Sequence, residues 1–176
     1  LSRIRSVRNR LLVLMETEKH FDAQPAFSIE ERELETMTVC SIRFSGAYNG
    51  VGPRFSELFK KAGRWITGAP FSLYWDSEFK DGDADIEAAV AVKKQISLNG
   101  ASCRVLEGGR AACLKHEGPY ERIGESYKRL FDYLGERGLE ARLPSREVYL
   151  RGPGMILPRS PKKFLTEIQI LLYSFL

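Results

Sequence analysis

The feature of this sequence that most constrains its fold is an internal repeat. Residues 45–62 (SGAYNGVGPRFSELFKKA) align without a gap with residues 117–134 (EGPYERIGESYKRLFDYL), at an offset of 72 residues. The identical positions are Gly46, Tyr48, Gly52, Leu58 and Phe59 in the first copy and Gly118, Tyr120, Gly124, Leu130 and Phe131 in the second. Average composition gives only about one chance identity over such a window, so the sequence predicts a duplicated structural unit.

Each copy has the same predicted plan, which is a strand, a glycine-containing turn, an amphipathic helix and two further strands. Apolar alternation predicts strands at 37–44, 71–76 and 86–92 in the first copy and at 110–116, 146–150 and 164–172 in the second, with a short extra strand at 102–106. Two such units bury their apolar surface by joining around an approximate twofold axis. We therefore predict an α+β fold, an antiparallel sheet backed by two helices on one side, with a groove on the other.

The predicted duplicated domain spans residues 34–176, with halves of about 34–100 and 101–176. Ahead of it, apolar residues recur at helical spacing over residues 3–21, and this pattern ends at Pro25. The chain starts with Leu1, and an arginine-rich stretch follows without the apolar core of a signal peptide. We interpret residues 1–33 as a linker helix and a connection to a DNA-binding domain that precedes Leu1.

Charge and composition narrow the classes of function. The four arginines of residues 3–10 alone match the net charge of +4, so nucleic-acid binding by the rest of the chain would need cations clustered on one folded face. No apolar run approaches the roughly 18 residues of a membrane helix. Cys40, Cys103 and Cys113 lie far apart in apolar, strand-like surroundings. They predict buried thiols in a reducing, cytoplasmic compartment.

Several motifs together resemble the GyrI-like (gyrase-inhibitor-like) effector-binding domains over about residues 34–172. These motifs are the turns SGAY and EGPY, the strands SLYWDS and REVYLRGPG, and the closing segment LTEIQILL. The resemblance implies two strand-helix-strand-strand units, free-standing or attached to the helix-turn-helix domain of an AraC-type or MerR-type transcription regulator. The segment SRIRSVRNR resembles the linker of AraC-type members, which favours that attachment, while a MerR-type coiled-coil linker stays open.

The resemblance also implies a ligand groove that contains a glutamate. Glu147, in REVYL, takes the family's position, and period-two geometry puts Tyr149 on the same face of its strand. Ser72 is the uncharged first-half counterpart of Glu147, and Glu87 is the counterpart of a second family acid. The expected ligand-binding residues are Glu147, Tyr149, Tyr74, Trp75, Tyr48, Tyr120 and Glu167.

A carboxylate among aromatic rings favours a lipophilic cation as ligand, because burial without a counter-charge disfavours the ion. The rings would then stack on the ligand and make cation–π contacts. In the alternative interpretation, Glu147 pairs with Arg146 or Arg151 on a solvated edge. In a similar way, Tyr48 and Tyr120 would cap their turns and pack beneath the helices.

We therefore predict a multidrug-type binding domain of a cytoplasmic bacterial transcription regulator, which recognises amphipathic or cationic effectors. DNA would be contacted only through the preceding helix-turn-helix domain, no membrane is involved, and a homodimer is the candidate assembly. No metal is expected because His20 and His116 are too few for a histidine site and the acidic turn at 81–85 lacks the glycine of a calcium loop. No cofactor is expected.

Two alternatives follow from the same resemblance. Some GyrI-like proteins are hydrolases that open cyclopropane rings. Here Glu147 would be the acid or base, and Tyr149, Tyr74 or Trp75 would position the substrate. The other alternative is a free-standing inhibitor that resembles the family member restraining DNA gyrase, in which surface loops bind the partner protein. We regard an enzyme as the less favoured interpretation, because no nucleophile motif supports it.

Overall fold

The computed structural model describes residues 28–153 and 159–173, and the linker helix predicted at residues 3–21 lies outside them. The strands are β1 (Glu30–Leu34), β2 (Met37–Gly46), β3 (Phe71–Tyr74), β4 (Ala84–Ala91), β5 (Ser102–Leu106), β6 (Gly109–Glu117), β7 (Ala141–Arg151) and β8 (Leu165–Leu172). The helices are α1 (Val51–Ala62) and α2 (Ile123–Glu136), each preceded by a single 3₁₀ turn, Tyr48–Gly50 and Tyr120–Arg122. The predicted α+β class and both helices are confirmed.

The eight strands of the described chain form one antiparallel sheet in the order β1-β6-β8-β7-β3-β4-β2-β5. Strands β2, β4 and β3 of the first half correspond to β6, β8 and β7 of the second, and the halves meet where β3 pairs with β7. In this central pair Ser72 lies directly opposite Glu147. Because these two residues are also equivalent positions of the repeat, the approximate twofold axis passes between them.

The outer strands are exchanged between the halves. Strand β1 pairs with β6 of the second half, whereas β5 pairs with β2 of the first half. The loops that lead out of β1 and β5 meet where the Gly108 amide donates to Thr36 Oγ1 at 3.1 Å. The first predicted strand starts at residue 37, so β1 is a strand that the sequence pattern did not predict. The repeat offset of 72 residues contains this signal, because it maps the extra strand at 102–106 onto 30–34.

Helices α1 and α2 cover one face of the sheet, which we call the helix face. Leu58 of α1 packs in one core cluster with Ala88 of β4, and Leu130 of α2 packs in another with Ile168 of β8. All four side chains are fully buried, and each leucine contributes about 1.5–3 kcal/mol by its burial. Each half therefore has its own core beneath its own helix, and the central strands lie between the two cores.

The opposite face of the sheet, which we call the reverse face, combines apolar residues with two ion pairs, each between a buried glutamate and a partly exposed arginine. Leu73 is fully buried there. Arg32 of β1 binds Glu167 at 2.5 Å, and Arg104 of β5 binds Glu87 at 2.6 Å. The two pairs occupy equivalent positions of the repeat. Each one fastens an exchanged outer strand to an inner strand of the half that receives it.

The cysteines differ from the prediction. Cys40 and Cys103 lie directly opposite each other in the β2–β5 pair and form a disulfide. The expectation of three thiols is wrong for these two, because the exchange of β5 brings together residues that are 63 positions apart in sequence. In the described part of the chain, Cys113 is free and buried, and burial raises its pKa to about 11. None of the helices within the described ranges is long and apolar enough to cross a membrane.

Candidate functional site

One row of cross-strand neighbours runs through the centre of the helix face. From the first half to the second it consists of Ile42, Ala88, Ser72, Glu147, Ile168 and Leu114. The ends of the row are apolar, and there the two helices pack onto the sheet. Its centre is polar. The duplication thus places one serine and one glutamate on the axis, between the two helix-covered cores.

Three tyrosine hydroxyls donate to the Glu147 carboxylate. Tyr127 of α2 reaches Oε1 at 2.7 Å, while Tyr74 and Tyr149 reach Oε2 at 3.2 and 3.3 Å. The Tyr149 hydroxyl also lies 3.0 Å from Ser72 Oγ. Glu147 is only 6% exposed, and hydrogen bonds to an ionised acceptor are roughly twice as strong as neutral ones. The phenols thus replace water around a buried carboxylate.

Aromatic rings surround this cluster in two equivalent pairs. The Tyr48 ring contacts Tyr74 with centroids 5.8 Å apart, and the Tyr120 ring contacts Tyr149 edge-on at 5.7 Å. Phe55 of α1 also meets Tyr149 edge-on at 5.7 Å. Tyr48 and Tyr120 belong to the 3₁₀ turns ahead of the two helices. The repeated turn therefore delivers one tyrosine from each half to the site.

The electrostatics of the cluster depend on burial and on the carboxyl group of Glu147. Burial, with the neighbouring Tyr74 and Glu147, raises the pKa of Tyr149 well above its ordinary value. Burial and the Glu147 charge also raise the pKa of Tyr120 to about 12. Both phenols therefore stay neutral at physiological pH and act as donors or π-faces. An ionised Glu147 would be the anion among them, which is an arrangement suited to a cation.

The two arginines considered as partners of Glu147 point elsewhere. Arg146 is on the reverse face and is 1% exposed, and its Nη2 donates to the carbonyl of Glu107 at 2.6 Å. Burial, with the charge of neighbouring arginines, lowers its pKa to about 10. Arg151 donates to Glu117 Oε1 at 3.2 Å. Strand alternation thus turns Arg146 away, and Glu147 is a buried residue and not part of a solvated edge.

Of the expected site residues, the structure brings together Glu147, Tyr149, Tyr74, Tyr48 and Tyr120. It places Trp75 and Glu167 on the reverse face instead. There Trp75 Nε1 donates to Glu87 Oε2 at 3.0 Å, and Glu167 receives hydrogen bonds from Arg32 and Gln169. The physical reason is that successive side chains of a strand point to opposite faces of the sheet. Trp75 directly follows Tyr74 and Glu167 directly precedes Ile168, and both Tyr74 and Ile168 lie on the helix face. The acid and its rings therefore lie on the helix face, whereas the sequence placed them in a groove on the opposite face.

Helical spacing predicts that Tyr127 is a buried residue of α2, and it is not among the expected site residues. Tyr127 is 3% exposed and donates the shortest of the three hydrogen bonds to Glu147. A signal was present, because its repeat counterpart is Phe55 and a tyrosine at a buried position needs a partner for its hydroxyl. Phe164, which packs against Tyr120 at 5.1 Å, carried no comparable signal.

Comparison with known proteins agrees with this architecture. The family model of the GyrI-like small molecule binding domain matches residues 27–172. No curated protein sequence matches the chain. The EcmrR C-terminal domain is 23% identical with a TM-score of 0.73, over 85% of this chain and 99% of that one. EcmrR in its DNA complex is 22% identical with a TM-score of 0.73, over 98% of this chain and 66% of that one, so the chain spans just under two thirds of that protein.

Two more distant structures share the fold. A hydrolase from Listeria innocua is 13% identical with a TM-score of 0.60, over 82% of this chain and 91% of that one. SAV2435, solved with bound tetraphenylphosphonium, is 12% identical with a TM-score of 0.57, over 83% of this chain and 94% of that one. At these identities the likeness concerns the fold.

Proposed function

The chain belongs to the GyrI-like small molecule binding domains, and we propose that it binds lipophilic cations as the effector-binding domain of a bacterial transcription regulator. The observation that carries this proposal is the Glu147 carboxylate, buried on the approximate twofold axis and hydrogen-bonded by three tyrosines. A small-molecule binding domain with one acid at the centre of an aromatic cluster is suited to a ligand that offers positive charge and apolar area.

The energetics favour a cation over a neutral ligand. A unit charge about 4 Å from the carboxylate gains about 4 kcal/mol at an effective dielectric constant near 20, before the cost of desolvating both ions. Each ring that faces the cation adds about 0.5–2 kcal/mol. The phenols can rotate their hydroxyls while their rings stay in place. A ligand charge spread over aromatic groups keeps the desolvation cost low.

The asymmetry of the axis favours one bound molecule. Two glutamates at the positions of Ser72 and Glu147 would be direct cross-strand neighbours, and like charges in that arrangement repel. The duplicated fold therefore accommodates a single central carboxylate. Tyr74 and Tyr149 are symmetric about it, so one ligand can use rings from both halves at once.

We test the charge requirement with two ions of the same shape. Tetraphenylphosphonium and tetraphenylborate have nearly equal size and opposite charge. The fluorescence of the protein should report saturable binding of the cation and at least tenfold weaker binding of the anion. Equal affinity for both ions would reject charge recognition. Failure of both ions and of a panel of smaller aromatic cations to bind would reject the lipophilic-cation class.

The regulatory part of the proposal rests on the shared fold with EcmrR, which was solved in a complex with DNA. In this proposal a DNA-binding domain precedes Leu1, and the AraC-type and MerR-type attachments both stay open. The proposed location in the cytoplasm follows from the role of a transcription regulator alone, because the Cys40–Cys103 disulfide removes the argument from reduced thiols. An effector changes activity only if it binds the arrangements of the two domains with different affinity. DNA binding by the natural full-length protein should therefore shift with cation concentration, and an unchanged DNA affinity at saturating cation would contradict regulation through DNA affinity.

A hydrolase remains the second candidate, because the buried carboxylate is flanked by hydroxyl donors and a Listeria innocua hydrolase shares the fold. In this candidate Glu147 would act as acid or base and Tyr149 would position the substrate. Turnover of a cyclopropane-containing compound that is lost in Glu147→Gln would support an enzyme. No turnover, together with cation binding, would leave the binding function.

A further inference from the structure

A second chemically distinct surface surrounds Trp65, in the 3₁₀ turn that follows α1. Three cations contact this one indole ring. The Arg64 guanidinium lies 4.8 Å, the Lys93 ammonium 5.1 Å and the Lys94 ammonium 4.3 Å from the ring centroid. We call Arg64, Trp65, Lys93 and Lys94 the Trp65 platform. Each cation lies at most 5.1 Å from the ring centroid, so any two of them are at most about 10 Å apart.

The platform residues lie on two chain segments whose backbones are hydrogen-bonded to each other. The Lys93 amide donates to the Trp65 carbonyl at 2.9 Å, and the Thr67 amide donates to the Ala91 carbonyl at 3.0 Å. Ile66 and Val92 form an antiparallel bridge between the same two segments. Trp65 itself packs against the core cluster beneath α1. The positions from which the cations extend are therefore fixed with respect to one another.

The charge of this surface is not neutralised locally. Residues 58–70 and 88–101 contain Lys60, Lys61, Arg64, Lys93 and Lys94, and no aspartate or glutamate. Lys61 is bound to Glu57. Within residues 28–153 and 159–173, the three platform cations make no ion pair with a carboxylate. Three like charges this close repel each other, so the arrangement is at its most stable when an anion is bound.

We propose that the Trp65 platform contacts the phosphate backbone of duplex DNA. Phosphates are closely spaced along a duplex, and a compact group of lysine and arginine side chains can contact several of them. An acidic protein is the less suitable partner. Protein interfaces are depleted in lysine and use exposed aromatic anchors, whereas the Trp65 ring is already in contact with its own cations.

This contact is independent of the sequence of the DNA, because phosphates are the same at every base pair. It would add to the helix-turn-helix through which we expect a specific site to be read, so DNA would not be contacted through that domain alone. It does not involve the Glu147 cluster. The near-neutral charge of the chain after residue 10 means that nucleic-acid binding there requires cations clustered on one folded face, and the Trp65 platform is such a cluster.

The test measures the binding of the whole 176-residue chain to a labelled duplex of arbitrary sequence, by fluorescence anisotropy over a range of salt concentrations. The platform variant is Arg64→Gln with Lys93→Gln and Lys94→Gln. The control is Lys128→Gln with Lys162→Gln and Lys163→Gln, which removes the same net charge from the second half. The arginine-rich residues 3–10 are retained in all three proteins, so their background contribution is common.

Each phosphate contact changes the slope of log K against log salt by about 0.9. The platform variant should lower the magnitude of this slope by about 2–3, and the control by less than about 1. Equal slopes for the two variants would overturn the proposal. Polyglutamate binding that depends on the platform, combined with DNA binding that does not, would overturn it in favour of an acidic protein partner.

A second readout guards against loss of folding. In a Trp75→Phe background, Trp65 is the remaining tryptophan of the chain. Its emission should change on addition of DNA and should change less than half as much in the platform variant, while both proteins retain the same circular dichroism spectrum. Unchanged Trp65 emission at saturating DNA would overturn the proposal.

Discussion

Helix α2 carries two tyrosines that make the same hydrogen bond in different surroundings. Tyr127 donates to Glu147 at 2.7 Å, and Tyr133 donates to Glu31 at 2.7 Å. Tyr127 and Glu147 are both buried, whereas Glu31 lies near the sheet edge and is also bound by Arg110. Substitution by phenylalanine removes one hydroxyl in each case and leaves the ring. The pair therefore isolates what a donor contributes when its carboxylate is cut off from water.

The magnitudes follow from that difference. A hydrogen bond to a charged group contributes about 1.5–3 kcal/mol, and a buried acceptor that loses its donor keeps its desolvation cost. Tyr127→Phe should therefore lower the free energy of unfolding by about 2–3 kcal/mol. Tyr133→Phe should lower the free energy of unfolding by less than about 1 kcal/mol, because water and Arg110 still donate hydrogen bonds to the Glu31 carboxylate.

Urea denaturation followed by circular dichroism measures both changes, provided that the dependence on urea is the same for the variants and the parent. Equal losses of stability for the two variants, or a larger loss for Tyr133→Phe, would contradict this prediction. Either outcome would mean that Glu147 is not held as a desolvated anion by α2. The site would then have no electrostatic reason to recruit a cation.

Three further predictions concern the reverse face and the crossing loops. Arg104→Ala should lower the free energy of unfolding, measured by denaturation, by about 1–3 kcal/mol. The substitution leaves the buried Glu87 carboxylate without its counter-charge, and the partial exposure of Arg104 keeps the loss below that of a fully buried pair. Burial alone would raise the pKa of Glu167, but hydrogen bonds from Arg32 and Gln169 lower that pKa below the reference value of 4.5. The stability that the Glu167 carboxylate contributes is therefore fully present above pH 4.5 and is lost as the pH falls below that value. Glu167→Gln should therefore flatten the acid limb of the stability profile. Gly108→Ala should destabilise the fold by more than about 2 kcal/mol, because its methyl group would lie 1.9 Å from a β1 carbonyl, whereas Gly135→Ala in α2 meets nothing and should stabilise by up to about 1 kcal/mol in thermal denaturation.

The sequence predicted the elements well wherever one short-range pattern decided them. Both helices follow from apolar spacing, and the duplication predicted that Tyr48 and Tyr120 occupy equivalent turns. Strand alternation was enough to place Glu147 and Tyr149 on the same face of β7. The family position of Glu147 and the repeat then placed Tyr74 nearby. These relations involve neighbours in sequence or equivalent positions of the repeat, which a single sequence displays.

The missed strand β1 and the missed disulfide depend on long-range strand order. The exchange of β1 and β5 depends on which half each outer strand joins, and no local pattern encodes this. That exchange creates the Cys40–Cys103 disulfide and gives Glu167 its partner Arg32. The placement of Trp75 and Glu167 on the reverse face could have been derived from alternation, once Tyr74 and Glu147 were assigned to the helix face.

In the proposed function the Glu147 carboxylate on the helix face, and not the Glu167 carboxylate on the reverse face, recognises the charge of the ligand. Calorimetric titration of tetraphenylphosphonium into the parent, Glu147→Gln and Glu167→Gln proteins tests it directly. Both substitutions remove one buried carboxylate from neighbouring strands. We predict that Glu147→Gln weakens binding by more than about tenfold, which is about 1.4 kcal/mol, and that Glu167→Gln changes it less than about threefold. Equal losses, or a larger loss for Glu167→Gln, would contradict the account.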